Sequence, residues 1–390
     1  FGDLRDRSLQ GVNPFSTVSN PAYTRLQSGL VFGGRIRRDR MYYFASYETT
    51  RRQETGFSTI GANNFGLVNI DASRFLGAGT TIQGTPAQLA FLGNPQTPLN
   101  AATTQYAGLV ATASATALAG TPGVSTFASS GATLPLGFVP LSSMAGNYPV
   151  KEGTSLWGVR LDYRLNDMQQ LFLRANVSPS TVTGLTSQIQ GEVPGQAGFS
   201  RTDQQTYRDV TILGTYMALI GASRFNELRF QFSRRGLGLD PSSTAVGIDI
   251  LGDSQAFFGR DPLAAVHRSE QRFQLSDGFS WTHGNHSVKL GEDVSYLPLN
   301  VQATTEFGGQ YVFGNTSLLP GMPAFSGIQA YGLGLPQAFT QGLGTPNTRF
   351  IDKTVGAYLQ DAWKVRSNLI VNYGVRYDVE LTPTFPASTA

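Results

Sequence analysis

Between residues 368 and 378 the chain reads NLIVNYGVRYD. Leu369, Val371, Tyr373, Val375 and Tyr377 alternate there with Ile370, Asn372, Gly374, Arg376 and Asp378. A strand turns successive side chains to opposite faces, so the segment predicts one greasy, aromatic face and one largely polar face. The pattern recurs. In 155–178, Trp157, Val159, Leu161 and Tyr163 oppose Gly158, Arg160, Asp162 and Arg164. After a turn at Asn166–Asp167, Leu171, Leu173, Ala175 and Val177 oppose Gln170, Phe172, Arg174 and Asn176. In 225–235, Leu228, Phe230 and Phe232 oppose Glu227, Arg229, Gln231 and Ser233; in 23–34, Leu26, Leu30 and Phe32 oppose Arg25, Gln27 and Gly29. Alternation sustained for eight to eleven residues is the strand template and excludes a helical reading.

Ten strands are predicted, near 23–33, 41–52, 155–164, 169–178, 205–218, 225–234, 272–282, 286–297, 353–363 and 368–379. Links within pairs are short and turn-like (GRIRRDR, LNDM, LIGASR, HGNH, KVRS), whereas links between pairs are long (53–154, 179–204, 235–271, 298–352). Short and long links alternate without exception, which puts all short turns at one rim of the sheet and all long loops at the other. Two all-β architectures meet this pattern. A soluble sandwich or propeller buries the greasy face; a membrane barrel turns it to lipid and the polar face to a wet lumen. Ten residues at ~3.3 Å, tilted about 45°, rise ~23 Å, near the ~25 Å apolar band of outer-membrane barrels, while soluble strands average about five or six residues. The aromatics Tyr43, Tyr47, Trp157, Tyr163, Trp281, Tyr373 and Tyr377 fall on the greasy faces, several near strand ends where interfacial girdles sit.

Composition removes other classes. The 390 residues include no Cys, which excludes disulfides and thiolate chemistry. A net charge of +3 with only 14% charged residues and no dense basic run gives no nucleic-acid signal. No run of 18 apolar residues predicts a membrane helix. The chain starts at Phe1 without a Met or a leader, so it reads as a fragment.

The segments 32–53 (FGGRIRRDRMYYFASYETTRRQ), 284–294 (GNHSVKLGEDV), 333–342 (LGLPQAFTQG) and 355–378 (VGAYLQDAWKVRSNLIVNYGVRYD) resemble TonB-dependent outer-membrane transporters, in particular their Oar-like branch. The most specific piece is YLQDAWKV followed by the Gly-x-Arg-Tyr-Asp strand. The resemblance implies an antiparallel transmembrane β-barrel of 22 strands enclosing a plug. Residues 1–390 would supply the N-terminal half of the barrel, about ten strands with short periplasmic turns and long extracellular loops. It further implies a plug, a carboxypeptidase-regulatory-like domain and a TonB-contacting box upstream, and the rest of the barrel downstream. Expected partners are outer-membrane lipid, the protein's own plug, the TonB energy-coupling protein and an extracellular ligand, with no nucleic acid and no cofactor. The implied function is TonB-coupled uptake of a scarce solute. The alternatives are an Oar-like adhesion or secretion protein, or a soluble secreted β module.

No residue set predicts an enzyme or a metal centre. His283 and His286 are separated by a Gly-Asn turn and read as a solvated hairpin tip. No zincin, Walker, Rossmann or nucleophile-elbow motif occurs. Arg160, Asp162, Arg174, Glu227, Arg229, Arg376, Asp378 and Glu48 lie on polar strand faces and are expected to face the lumen or plug. The cluster at 36–40 reads as a periplasmic turn. One hairpin conflicts with this reading: Asp277 and Glu292 share the greasy faces of their strands and would pair opposite each other, so a bulge or a position above the bilayer is expected there. Loop 53–154 is expected to be extracellular, with a weak helix in its Ala-rich stretch at 101–120.

Overall fold

The computed structural model describes residues 1–9, 23–60, 65–118, 141–186, 196–252 and 255–383. Eleven strands form one antiparallel sheet in which each pairs with the next along the chain. They are β1 (Gly2–Asp6), β2 (Tyr23–Arg37), β3 (Met41–Ser58), β4 (Gly146–Asn166), β5 (Gln169–Thr186), β6 (Thr202–Ile220), β7 (Arg224–Pro241), β8 (Val266–His283), β9 (His286–Ala303), β10 (Asn347–Arg366) and β11 (Leu369–Leu381). The ten predicted strands are all present, but β1 adds an eleventh. Its five residues carry only Leu4 as an apolar marker, too little for alternation to show. The other strands also run longer than their alternating stretches, up to 21 residues in β4. Backbone pairing continues beyond the apolar band, where side chains no longer report a face. The sheet is open, with β1 and β11 at its edges.

The register fixes the tilt. One row of paired residues runs Met41–Tyr163–Leu171–Tyr216–Leu228–Asp277 across five strand spacings. Met41 adjoins the turn of its hairpin, whereas Asp277 lies six residues before His283 at the turn of its own. If the short turns share one plane, this stagger is about 18 Å along the strands over about 24 Å across them, a tilt of about 37°. Membrane barrels tilt by ~35–45°.

Opposite the short turns, the long links pack into a folded cap. From 59–145 come α1 (Ser73–Leu76), α2 (Pro86–Leu92) and α3 (Ala101–Ala117); from 304–346 comes α4 (Gly327–Leu333). A four-stranded sheet joins Ala256–Phe258, Gly247–Ile250, Gln310–Phe313 and Ala338–Thr340. Two apolar clusters fill the cap. One gathers Ile70, Phe75, Ile82, Leu92, Tyr106, Val110 and Phe325. The other gathers Ile60, Leu67, Leu118, Ile250, Phe258, Phe313 and Tyr331. α3 is thus a firm 17-residue helix, where weak propensity predicts a frail one. Asn100 and Thr103 close a capping box at its start, and burial of Tyr106, Ala107, Val110 and Ala113 outweighs the Thr and Ser cost.

Candidate functional site

The register sorts the charged and aromatic side chains onto opposite faces. Directly paired residues share a face, so a row can be followed across the sheet. One row reads Asp162–Phe172–Thr215–Arg229–Ser276–Asp293–Gly356–Asp378, and a second reads Glu227–Gly278–Gly291–Tyr358–Arg376. Arg160 pairs with Arg174 and with Phe44, and Phe44 lies on the same side of its strand as Glu48. All eight charged residues singled out above therefore lie on one face. On the other face, Tyr163–Leu171–Tyr216–Leu228–Asp277–Glu292–Ala357–Tyr377 form a row, Tyr47 pairs with Trp157, Tyr43 with Leu161, and Trp281–Val288–Asp361–Tyr373 form a further row. That face carries all seven aromatics. It is open to its surroundings: Leu369, Val371 and Phe230 are 46%, 40% and 44% exposed. A sandwich would have packed them dry.

On the charged face the tightest ion pairs are local, while Arg52 reaches Glu152 across strands at 2.9 Å and Arg235 reaches Asp209 at 3.8 Å. Arg160 grips Asp162 through two hydrogen bonds of 2.7 Å, and Arg376 grips Asp378 at 2.8 and 2.7 Å. Partners two residues apart on a strand stand side by side, which suits the planar guanidinium fork. Arg229 pairs with Glu227, Arg268 with Glu270 at 2.7 Å, and Gln27 donates to Glu48 at 2.6 Å. Arg174 donates to Asn176 at 3.3 Å. Gly356 makes room for one fork, since a methyl group there would collide with the Asp378 carboxylate. Tyr358 lies over Gly291, roofing a concavity of ≈ 610 Å³ lined also by Glu227, Arg229, Lys289, Asp293 and Arg376. These charges are neutralised on their own face yet stay open to exchange partners, as solvated pairs worth only ~0–1 kcal/mol can.

Asp277 and Glu292 do share the greasy face, directly opposite each other, in a register that runs without a shift from Val266 to His283. No bulge rescues them. Nor does overshoot, because Leu275, Val294, Phe273 and Tyr296 continue the greasy face beyond them. The pair lies about 20 Å along the strands from the turn, or about 16 Å above the turn plane at the tilt given above, near the middle of the apolar band. Asn226, on the same face, donates to Asp277 at 2.8 Å. His286 and Asp361 also share this face near the turn rim, 2.6 Å apart, with Tyr373 donating to Asp361 at 2.8 Å. The turn histidine thus has a carboxylate partner 75 residues away, which spacing alone does not reveal.

The cap holds the buried polar groups that sequence reasoning missed. Arg201, fully buried at the foot of β6, donates to Asp249 at 2.7 Å and to the carbonyl of Arg260 at 3.1 Å. Gln310 donates to the other Asp249 oxygen at 2.6 Å. Three long links are tied at this one carboxylate, whose pKa is pushed up by burial against the opposing pull of Arg201. Gln88, Gln329 and Ser114 form a second buried knot at 2.8–3.0 Å joining α2, α3 and α4. Tyr106 donates to the carbonyl of Pro323 at 2.8 Å, and burial raises its phenol to about 12. No signal marked these residues, because each partner comes from a distant link.

The whole wall, residues 1–387, matches the outer membrane beta barrel domain. The chain belongs to that family. It is an outer-membrane β-barrel wall. A curated relative is the TonB-dependent transporter Oar of Myxococcus xanthus, 33% identical over 102 residues, which are 25% of this chain and 9% of that protein. Among solved structures, the chain is similar to the outer-membrane transporter YddB of Escherichia coli, with 10% identity and a TM-score of 0.46, covering 92% of this chain and 34% of that one. It is likewise similar to the ferripyoverdine receptor of Pseudomonas aeruginosa, with 12% identity and a TM-score of 0.44, covering 94% and 36%. The chain therefore spans a small part of the curated relative and about a third of these solved ones. The matched proteins are transporters and receptors, not enzymes.

Proposed function

We propose that this wall belongs to a receptor that takes up a scarce solute with energy delivered through TonB. The observation that carries the reading is the segregation of charge: lipid-facing residues are greasy, and the opposite face bears Arg–acid pairs that can trade partners with a plug. In this reading Arg160, Asp162, Arg174, Glu227, Arg229, Arg376, Asp378 and Glu48 line the lumen and dock the plug. Each such contact is weak, so a plug held by several still releases when pulled. The cap, with its own apolar core, presents a preformed outer surface for ligand capture, which costs less ordering entropy than loose loops would. The open edges of β1 and β11 are to be closed by further strands, because an unpaired backbone group in lipid costs several kcal/mol.

Competitive growth of a deletion strain under iron, vitamin, glycan and peptide limitation tests the function, alongside a strain lacking TonB. At least one limitation should penalise both strains alike, with Arg229→Glu and Arg376→Glu together reproducing part of the defect. A deletion that is neutral under every limitation that penalises loss of TonB would refute uptake.

A further inference from the structure

Two arginines stand side by side on the charged face of β4 and β5, and only one of them holds an acid. Three paired rows place them: Tyr42–Asp162–Phe172, then Phe44–Arg160–Arg174, then Ser46–Gly158–Asn176. Arg160 and Arg174 are direct cross-strand partners, and like charges so placed repel. Asp162, the one acid in the three rows, does not relieve both, because its two oxygens are taken by the Arg160 fork. On its own strand Arg174 is flanked by Phe172 and Asn176; on β6 it meets Leu213, with Thr211 and Thr215 to either side. It donates through Nε to Asn176 at 3.3 Å, and among the described residues it forms no ion pair.

Around this spare cation the wall is concave and aromatic. A cavity of ≈ 480 Å³ opens between the rows. Gly158 gives it depth, since a methyl there would press within 2.6 Å of the Ser46 hydroxyl. Tyr42 and Phe44, two residues apart on β3, line one side and are each 45% exposed. Arg160 is fixed twice: by Asp162 through two bonds of 2.7 Å, and by the Phe172 ring, whose centroid lies 4.4 Å from the guanidinium carbon. It is a rigid positive wall, while the terminal nitrogens of Arg174 keep a fork open to the cavity. Arg160, Asp162 and Arg174 sum to a single positive charge, which calls for a monoanion, and a planar fork matches a carboxylate in two parallel bonds. The exposed rings call for a flat apolar body. The volume is that of a small-molecule site, more than one acidic side chain fills.

We propose that this pocket binds a carboxylate carried on an aromatic ring, and that the solute this wall conducts belongs to that class. Arg174 takes the carboxylate, Arg160 adds its field, and Tyr42 and Phe44 flank the ring. The arginine pair then has a reason: without an anion the two cations repel, and with a carboxylate between them each has a counter-charge. The inference rests on the charged face lining a lumen, as proposed above, and adds the chemistry of the cargo.

The test uses the intact full-length protein in non-ionic detergent and follows benzoate, benzamide and acetate by saturation-transfer NMR. Benzoate should bind roughly tenfold tighter than benzamide, which keeps the ring without the charge, and than acetate, which keeps the charge without the ring. Arg174→Gln should bring benzoate down to the benzamide level, and Phe44→Ala should bring it toward the acetate level. Both variants should keep heat-modifiable migration, Arg174→Gln because it removes a repulsion. Equal binding of benzoate and benzamide, or an unchanged preference in Arg174→Gln, overturns the assignment. Absence of benzoate binding overturns it as well and gives the pocket to an acidic side chain of the plug. A bilayer-contact probe at Phe230→Cys on the opposite face, in a background without other thiols, separates the two failures. A probe in lipid with no benzoate binding sinks the pocket alone, and a probe in water sinks the lumen reading beneath it.

Discussion

Replacing Arg201 with alanine removes the cation from a carboxylate whose side chain is only 10% exposed. It deletes the 2.7 Å bond to Asp249 and the 3.1 Å bond to the Arg260 carbonyl, leaving Asp249 with Gln310 alone. Breaking a buried pair from one side costs about 3–5 kcal/mol, because a desolvated charge remains uncompensated. At ~1.4 kcal/mol per decade, amide exchange in 247–250 and 310–313 should accelerate by roughly two to three and a half decades, while the central strands of the wall stay protected. The pH dependence has a fixed sign. Burial holds the Asp249 pKa above 3.8 even with Arg201 present. Its contribution is therefore fully present below that ordinary value and is lost as pH rises through the raised one. Removing Arg201 raises the carboxyl further, so the penalty should be small near pH 4 and grow toward pH 7.5. R201M/D249L/Q310L, which removes every member of the knot, should recover most of the loss. Hydrogen–deuterium exchange with mass spectrometry reads all three predictions. A penalty below about 1 kcal/mol at pH 7.5, or one larger at pH 4, would refute the reasoning.

Glu292→Leu relieves the facing carboxylates at mid-band and should stabilise the intact barrel by about 1–2 kcal/mol in vesicle unfolding, since acids on the lipid face cost less than the ~2–4 kcal/mol of bases; a net loss would place the pair in a polar contact instead. Tyr106→Phe should cost the cap about 1 kcal/mol with unchanged packing, seen as faster exchange in α3, because it strands the Pro323 carbonyl. Unperturbed α3 exchange would show that bond to be idle. Trp157, packed at a tilt against Tyr47 with ring centroids 4.1 Å apart on the greasy face, should be quenched by brominated acyl chains in a variant where it is the sole tryptophan, and quenching only by aqueous iodide would reverse the face assignment.

The faces of the ten longer strands were legible in the sequence. A period of two leaves no freedom: once Leu369, Val371 and Tyr373 are greasy, Asn372, Gly374 and Arg376 must lie opposite, whatever the strand pairs with. Short turns marked by Asn166–Asp167 and Gly284–Asn285 then dictated the meander, and strand length pointed to a membrane. The tertiary structure alone decided the rest. It carried α3 past its weak propensity by burying one side of it, and it brought Asp361 to His286 and Asp249 to Arg201 across 75 and 48 residues. It also placed Asp277 and Glu292 in mid-band and set Arg174 beside Arg160 next to the gap at Gly158. Local pattern governs which way a side chain points; which partner it meets depends on register and loop closure, and these are settled by the summed free energy of the whole sheet and cap.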